Sequence, residues 1–327
     1  MKKIIIIFTG GTISMEKDAE SNAAVPAMSG EDILKLTPGL DNAAEIHLLD
    51  FGMLPSPHMT PEKMLELSRL ISYKTENENY DGVVVTHGTD SLEETAYLVD
   101  LTYKGSKPVI FTGSMKNSSE TGWDGPSNLT AAVLTAVSGE ARNRGVMVVM
   151  SDEVHCAAQV TKTNTHTLHT FRSVDFGPLG FIENGKVHFY YKYMKRQHIA
   201  AEKIDSLVDI IKCGCGMDER LIKFCVDSGA KGIVIEGMGR GNIPPKMVSG
   251  VEYALSRNIP VVLVSRCSAG RVLDDYGYAG AGRELTEKGV ILGDNLPWQK
   301  ARIKLMAALG FTNDVSVIKE IFEKHYY

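Results

Sequence analysis

Short, uninterrupted apolar runs that end in glycine-containing turns are the feature that most constrains how this chain folds. Ile4-Ile5-Ile6-Ile7-Phe8 is followed by Thr9-Gly10-Gly11-Thr12-Ile13, and Val83-Val84-Val85 leads into His87-Gly88-Thr89-Asp90-Ser91. Strands without polar alternation are buried on both faces, which is typical of parallel sheets. Because ligands of open α/β sheets bind at the carboxyl ends of the strands, we expect both threonine hydroxyls at a functional edge.

Apolar runs and helical patterns alternate through the N-terminal part of the chain, which indicates βαβ units and a parallel sheet. Helices are predicted to begin after three hydroxyl residues that precede acidic residues or proline, namely Ser29, Thr60 and Ser91. Asn184-Gly185 predicts a β-hairpin over 180–190, since both residues accept the positive φ of a tight turn. The predicted strands lie at 3–8, 45–51, 82–86, 108–112 and 145–150.

The length of 327 residues favours two domains. We interpret the charged stretch 192–217 as a linker between an N-terminal domain at 1–191, which carries the threonines, and a C-terminal domain at 218–327. Strands at 232–235 and 260–264 and helices at 297–309 and 314–324 are predicted beyond it. The predicted fold class is α/β, with a larger N-terminal, mostly parallel sheet that includes a β-hairpin, and a smaller C-terminal parallel-sheet domain.

Composition excludes several classes of function. A net charge of −5 disfavours binding to nucleic acid or anionic membranes, and neither a signal peptide nor a membrane-spanning segment is predicted. Five cysteines, an odd number, disfavour a disulfide framework. Cys213-Gly214-Cys215 has no second pair at zinc spacing and is interpreted as two thiols in the linker. We expect a cytoplasmic protein that binds a small molecule, without metal, nucleic-acid or membrane partners.

Each threonine turn also has a purely structural interpretation. Gly-Gly-Thr alone is common in turns and lacks the spacing of a dinucleotide or phosphate loop. Asp90 or Ser91 could cap the helix that follows, and His87 could be a packed strand end. Two segments favour catalysis: Phe111-Thr112-Gly113-Ser114-Met115 brings hydroxyl groups to a third strand end, and Val160-Thr161-Lys162-Thr163-Asn164 sets a lysine between threonines.

Taken together, the motifs resemble the bacterial L-asparaginase family. In chain order they are T-G-G-T-I (9–13), H-G-T-D-S (87–91), T-G-S-M (112–115), W-D-G-P-S-N-L (123–129) and V-T-K-T-N (160–164). Each motif is modest alone, but their joint order and spacing are specific. Segments 173–180 and 300–305 extend the resemblance over nearly the whole chain.

The resemblance implies hydrolysis of L-asparagine to L-aspartate and ammonia through an acyl-threonine intermediate, without a cofactor. Thr12 matches the attacking threonine. Thr89, Asp90 and Lys162 match a second set, in which neutral lysine takes a proton from a threonine or from water. Asp90 also matches the carboxylate that receives the substrate's α-amino group, and Ser56 matches the serine that binds its α-carboxylate.

Further substrate contacts are implied in the same way. Ser114 stands where a backbone carbonyl contacts the leaving amide, and the peptide N–H groups of the turns at Gly11 and Gly88 can stabilise an oxyanion. Asn242 resembles a residue that reaches the site of a neighbouring subunit, which implies a homodimer or homotetramer. A family glutamate aligns near residue 282, so Glu284 is a candidate, although an exposed structural glutamate is the alternative.

The chain departs from the family in ways that bear on mechanism and localisation. Segment 15–28 has no tyrosine, where the family usually carries one that helps to activate the first threonine. Either another group activates Thr12, or the set around Lys162 contributes more than in better-known relatives. The disulfide of exported relatives aligns near Asn77 and Gly105, where this chain has no cysteine. The absence of this disulfide agrees with a cytoplasmic enzyme.

Two alternative functions remain open at this point. A glutaminase-asparaginase of broader specificity would differ by one methylene in the substrate, which is worth only ~1–3 kcal/mol of discrimination. A non-catalytic amino-acid-binding protein on the same fold is the second. The joint presence of Thr12, Thr89, Asp90 and Lys162 disfavours it, because binding alone needs neither a nucleophile nor a base.

Overall fold

A mostly parallel sheet forms the frame of the N-terminal unit. The computed structural model describes residues 1–18, 20–191 and 196–323, and its contacts divide the chain into two units, the first ending at His198. The strands of this unit are β1 (Lys3–Phe8), β2 (Met15–Lys17), β3 (Ala24–Pro26), β4 (Glu45–Asp50), β5 (Gly82–Thr86), β6 (Val109–Thr112), β7 (Val146–Met150), β8 (Glu153–Cys156), β9 (Thr161–Lys162), β10 (Phe171–Arg172), β11 (Gly180–Glu183) and β12 (Lys186–Phe189). Its α-helices are α1 (Gly30–Lys35), α2 (Leu40–Ala43), α3 (Pro61–Glu76), α4 (Leu92–Thr102) and α5 (Gly125–Val137).

The strand order of the main sheet is β12-β11-β8-β7-β6-β5-β1-β4. Strands β4, β1, β5, β6 and β7 run parallel to one another, whereas β8, β11 and β12 add an antiparallel edge. The five predicted strands are confirmed, with boundaries that differ by one residue at most. The predicted hairpin is β11–β12, and Asn184 and Gly185 take φ values of 50° and 70° at its turn.

Burial explains why the apolar runs form the centre of this sheet. Every residue of β5 and β6 is buried, and the core packs α3 and α4 against one face through residues such as Leu67, Ile71 and Val99. Ser29 and Thr60 cap α1 and α3 as predicted, each accepting a backbone N–H in the first turn. The capping prediction for Ser91 is wrong, because its hydroxyl donates instead to the carbonyl of Ser56, 2.6 Å away.

The second unit begins at Ile199 and contains a smaller, all-parallel sheet with the order β13-β14-β15-β16. These strands are β13 (Val208–Lys212), β14 (Gly232–Gly237), β15 (Val261–Ser265) and β16 (Ile291–Leu292). The α-helices are α6 (Arg220–Asp227), α7 (Val248–Leu255), α8 (Gly282–Lys288), α9 (Trp298–Phe311) and α10 (Val315–Glu323). The two strands and two helices predicted here are confirmed.

The interpretation of 192–217 as a linker needs correction. Residues 192–195 of this stretch lie outside the described residues, and the later part contains β13, the edge strand of the second sheet. An edge strand alternates buried and polar positions, here with Asp209 and Lys212 interrupting the apolar pattern, so the run is too short to be recognised. Cys213 directly follows this strand and is buried in the core of the second unit rather than lying in a linker.

Candidate active site

Three adjacent parallel strands, β1, β5 and β6, end at the same edge of the main sheet and carry the glycine turns there. Thr9 Oγ1 donates to the carbonyl of Thr86, 2.8 Å away, and the amide of His87 donates to the carbonyl of Thr112 at the same distance. The ends of the three strands are thereby hydrogen-bonded to one another. This places the turns that bear Thr12, Thr89 and Ser114 side by side.

Two glycines allow the turns to touch through their backbones. A Cβ atom at Gly11 would lie 2.3 Å from the Cα of Gly88, and one at Gly88 would lie 2.6 Å from the Cβ of Ser56. Gly11 also has a φ of 87°, which disfavours any residue with a side chain. The turn after β1, the turn after β5 and the loop at Ser56 therefore meet at van der Waals distance.

Lys162, Thr89 and Asp90 form a hydrogen-bonded cluster. Lys162 Nζ lies 2.9 Å from Thr89 Oγ1 and 2.7 Å from Asp90 Oδ1. Thr89 is buried, and the Lys162 side chain is 16% exposed, whereas the Asp90 side chain is 64% exposed. The cluster thus presents a carboxylate to solvent and keeps the lysine–hydroxyl contact sheltered.

The two-stranded ribbon β9–β10 positions Lys162. Phe171 pairs with Lys162 in the register of this ribbon and is buried in the main core together with Val160. Thr163 donates both its amide and its hydroxyl to the carbonyl of Thr170, each at 2.8 Å, and closes the ribbon's turn. One strand of the ribbon is therefore anchored in the core while its partner directs the lysine to the site.

Two carboxylates connect this ribbon to neighbouring elements. Glu93, buried in the first turn of α4, accepts the amide N–H of Lys162 at 3.4 Å. On β8, Glu153 contacts Arg172 of β10 at 3.5 Å and lies 3.1 Å from the buried ring of His155, whose other nitrogen is 3.0 Å from Ser173 Oγ. The hydrogen bond from His155 lowers the pKa of Glu153. Neither the Glu93–Lys162 nor the Glu153–Arg172 contact is predictable from the sequence, because each joins segments far apart in the chain.

Ser56, which is predicted to bind substrate, lies next to the turn that bears Thr89 and Asp90. Its side chain is buried, and its Oγ accepts the amide N–H of Asp90 at 3.3 Å. Its carbonyl accepts the hydroxyl of Ser91. Ser56 therefore belongs to the same hydrogen-bonded unit as the Thr89–Asp90 turn.

The loop at Ser114 is held by Asp124 and Asn128, whose role was not predicted from the sequence beyond their place in the motif W-D-G-P-S-N-L. Asp124 accepts the amides of Met115 and Lys116 at 3.0–3.1 Å. Asn128 Nδ2 donates to the carbonyl of Gly113 at 3.0 Å and to Asp124 at 2.9 Å. Aspartate and asparagine one helical turn apart in W-D-G-P-S-N-L were the available signal. Ser114 itself is fully buried.

His87 is a packed strand end, as its structural interpretation proposed. Its Nδ1 lies 2.8 Å from the carbonyl of Gly88, which can only accept, so Nδ1 carries the proton. Nε2 then accepts the hydroxyl of Thr95, 2.9 Å away. Burial lowers the pKa of His87 to about 4, so the ring is neutral at physiological pH.

Thr12 begins a short 3₁₀ turn at Thr12–Ser14, and Ser14 donates its amide to the carbonyl of Gly11. The small ribbon β2–β3 follows, and Met15 accepts the amide of Ser118 at 3.2 Å. Within the described residues, the hydrogen bonds of Lys162 Nζ go to Thr89 and Asp90 and not to Thr12.

Asn242 and Glu284 lie in the second unit and have hydrogen-bond partners within it. Asn242 forms an isolated antiparallel bridge with Met238, with backbone bonds of 2.8 and 2.9 Å. Glu284 accepts the amide of Gly280 at 2.7 Å from the first turn of α8 and lies 3.6 Å from Lys288. Both roles organise local loops.

Residues 1–18, 20–191 and 196–323 contain no group of three or more His, Cys, Asp or Glu side chains suited to a metal ion. No helix in those ranges is long and apolar enough to cross a bilayer. All five cysteines are free thiols.

A hydroxyl beside a lysine, at the carboxyl edge of a parallel sheet, is an arrangement suited to an α/β enzyme, because ligands bind at that edge and a nearby base can activate a hydroxyl. Residues 3–195 match the family model described as Asparaginase, N-terminal, and residues 207–322 match the Glutaminase/Asparaginase C-terminal domain. The chain belongs to the asparaginase family.

Similar proteins cover almost the whole chain. It is 39% identical to an L-asparaginase of Bacillus licheniformis, over 94% of this chain and 96% of that protein. It is 36% identical to L-asparaginase 2 of Escherichia coli, over 99% and 94% of the two chains. The crystal structure of a probable cytoplasmic L-asparaginase from Campylobacter jejuni superimposes with a TM-score of 0.89 at 34% identity, covering 99% of this chain and all of the other.

Proposed function

We propose that this protein hydrolyses L-asparagine to L-aspartate and ammonia through an acyl-threonine intermediate. The observation that carries the proposal is the cluster in which Lys162 Nζ touches both Thr89 Oγ1 and Asp90 Oδ1. A binding protein needs no lysine sheltered against a hydroxyl, whereas acyl transfer needs a group that removes the hydroxyl proton. The names of the similar full-length proteins agree with this assignment.

In the proposed reaction, Thr12 Oγ1 attacks the carbon of the side-chain amide. Its proton passes through Thr89 to neutral Lys162, and the C=O π electrons move onto the oxygen. When the tetrahedral intermediate collapses, the C–N bond breaks and the proton goes to the leaving nitrogen, which departs as ammonia. Water then attacks the ester carbon, loses a proton by the same route, and the returned proton restores the Thr12 hydroxyl. The close approach of Gly11 to Gly88 brings the turns of Thr12 and Thr89 together, which this proton path requires.

The remaining contacts follow from the charges of the substrate. The exposed carboxylate of Asp90 suits the α-ammonium group, and the Ser56 hydroxyl suits the α-carboxylate. Peptide N–H groups of the turns at Gly11 and Gly88 would face the oxyanion, where such a donor is worth ~2.7–4 kcal/mol in the transition state. The loop at Ser114 would contact the leaving amide.

The proposal extends to the whole assembly. We assign Asn242 and Glu284 as residues that the second unit supplies to the site of a neighbouring subunit, in a homodimer or homotetramer. The likeness to a cytoplasmic relative supports a cytoplasmic location.

The test is ammonia release from millimolar L-asparagine, measured side by side with L-glutamine and D-asparagine. Thr89→Val and Lys162→Met should each lower kcat at least ~100-fold, since a general base contributes that much or more. Thr130→Val is the matched control, because Thr130 lies on α5 and donates only to the Pro126 carbonyl. Wild-type ammonia release at background, or near-normal turnover by either site variant, would contradict the proposal.

A further inference from the structure

The polar face of β8 contacts the ribbon that carries Lys162. Glu153 and His155 occupy alternate positions of this strand, so their side chains share one of its faces. Glu153 Oε1 lies 3.5 Å from Arg172, the last residue of β10. His155 Nδ1 lies 3.0 Å from Ser173 Oγ, one residue further along the chain. Both side chains of this face therefore hold the end of β10, the strand that pairs with the strand of Lys162.

These contacts are compatible with either protonation state of His155. The hydrogen bond from His155 lowers the pKa of Glu153, so at neutral pH its carboxylate only accepts and the ring Nε2–H, 3.1 Å away, donates. Nδ1 faces the Ser173 hydroxyl, which can donate to a neutral ring or accept from a charged one. Glu153 therefore remains both the acceptor for the ring and the counter-ion of Arg172.

The register of the ribbon connects β8 to the catalytic cluster. Lys162 lies directly opposite Phe171, so both side chains occupy the face that meets the core and Thr89. Arg172, the next residue, occupies the other face, where Glu153 contacts it. The ribbon is therefore fixed on both faces, by the core on one and by β8 on the other. Loss of the β8 contact would leave two strands of two residues each held mainly through the core face.

We propose that Glu153 is a positioning residue for the reaction, which fixes the distance from Lys162 Nζ to Thr89 Oγ1 by holding β10. This inference rests on the proposed function. Over the described ranges, the hydrogen-bond and ion-pair partners of the Glu153 carboxylate are His155 and Arg172, so its effect on the reaction is exerted through the ribbon. Neither Glu153 nor His155 lies in a motif that carries the family resemblance.

The first test needs no turnover. Amide hydrogen exchange is followed by mass spectrometry in peptides covering 157–173 and 82–102 of the wild type, Glu153→Ala and Glu78→Ala. Glu78 is the matched control, because it forms an ion pair of 2.7 Å with Lys74 beside the end of α3. Glu153→Ala should speed exchange in 157–173 at least ~10-fold and leave 82–102 within about 2-fold of the wild type, since only the ribbon is released. Unchanged exchange in 157–173, or an equal increase in both peptides, would overturn the inference.

The second test is steady-state kinetics on L-asparagine. Glu153→Ala should lower kcat at least ~10-fold and change KM less than ~3-fold, because a displaced base slows the chemical step more than it weakens binding. Arg172→Ala, at a half-exposed position, should have the same effect, and Arg172→Lys, which keeps a cation, should retain most of kcat. Since the two residues act as a pair, the double alanine variant should lose less than the product of the two single losses.

A kcat for Glu153→Ala equal to that of Glu78→Ala, or losses that simply multiply in the double variant, would contradict the positioning role. Failure of the wild type to release ammonia from L-asparagine would instead contradict the proposed function, and the exchange measurement would still decide whether Glu153 holds the ribbon.

Discussion

His87 lies between the strand end that carries Thr89 and the second turn of α4, with 1% of its surface exposed. Its two nitrogens are satisfied by Gly88 and Thr95, and protonation would add a second N–H that faces a hydroxyl in a buried setting. The residue therefore supports the turn without access to the reacting groups. The local hydrogen bonds of His87 to Gly88 and Thr95 therefore depend on its neutral form.

This environment predicts acid sensitivity of the N-terminal unit. The pKa of His87 falls to about 4 in the folded state from 6.5, so between those values the unfolded chain binds more protons and stability is lost as the pH falls. From pH 7 to 5 the loss should be about 2 kcal/mol. The measurement is chemical denaturation of the wild type and His87→Gln at both pH values. His87→Gln should show a smaller pH effect, and the exposed His166→Gln should match the wild type. An equal pH effect in His87→Gln would contradict the prediction.

Gly11 gives a second prediction at the residue scale. Gly11→Ala would place a methyl group 2.3 Å from Gly88 Cα at a φ of 87°, so the two threonine turns must separate. Strain of this kind costs roughly 1–3 kcal/mol, and a shift of about 1 Å in a reacting group can cost ~100-fold in rate. Ammonia release and thermal unfolding measure the two effects. Gly139→Ala is the control, since nothing lies within 4 Å of its added methyl group. Wild-type activity in Gly11→Ala would refute the close contact.

At the scale of elements, the loop after β6 depends on the beginning of α5. The Asp124 carboxylate accepts two consecutive loop amides, and Asn128 fastens both the loop and Asp124. The Asp124 carboxylate therefore holds the loop by hydrogen bonds from a residue outside the loop. The position of the Ser114 backbone thus depends on a helix rather than on its own strand.

Asp124→Ala should therefore impair both stability and catalysis. Leaving these part-buried amides unsatisfied should cost about 1 kcal/mol or more, and a displaced loop should lower kcat more than it raises KM. Glu120→Ala is a matched control, because Glu120 also caps a loop amide, that of Asn117, but at the surface. Denaturation and steady-state kinetics on both variants provide the comparison. A kcat for Asp124→Ala equal to that of the control would argue against the anchoring role.

How well each element could be predicted from the sequence depended on its burial and on its pattern of apolar residues. Central strands such as β1 and β5 are buried on both faces, so their composition alone identifies them. The edge strand β13 was missed because two of its five residues, Asp209 and Lys212, are exposed and charged. The Lys162–Thr89 contact could be predicted only through the family resemblance, because β9 and β10 have two residues each and are too short to show a periodic pattern. Ser91 had a capping pattern, but a tertiary acceptor at Ser56 outcompeted the local amide.

At the scale of the whole molecule, the second unit contains a buried basic group of its own, as the first unit does with His87. Lys304 of α9 is 1% exposed, with Nζ 4.7 Å from the centre of the Phe322 ring on α10. Burial lowers its pKa to about 7, partly offset by Asp294. The two units thus carry buried bases whose pKa values depart from their ordinary values in separate pH ranges.

Lys304 predicts that the second unit gains stability as the pH rises. Between about 7 and 10.5 the unfolded chain holds a proton that the folded chain has lost, so raising the pH favours the folded state. From pH 7.5 to 9.5 the gain should be about 2 kcal/mol and should disappear in Lys304→Met. Lys319→Met, on the exposed side of α10, should keep the wild-type slope in denaturation at both pH values. A slope unchanged by Lys304→Met would contradict the prediction.

Lys162, the base of the proposed reaction, lies on residues 157–179, a segment that connects β8 to β11 and is not part of the main sheet. Thr12, Thr89 and Asp90 lie in the turns that follow strands of the main sheet, whereas the proposed proton acceptor, Lys162, lies on β9 outside that sheet. The proposed proton acceptor and the strands that carry the threonine turns therefore lie on separate stretches of sequence. Substitutions confined to residues 157–179 can therefore alter the position of the proton acceptor while the strand order and the threonine turns stay unchanged.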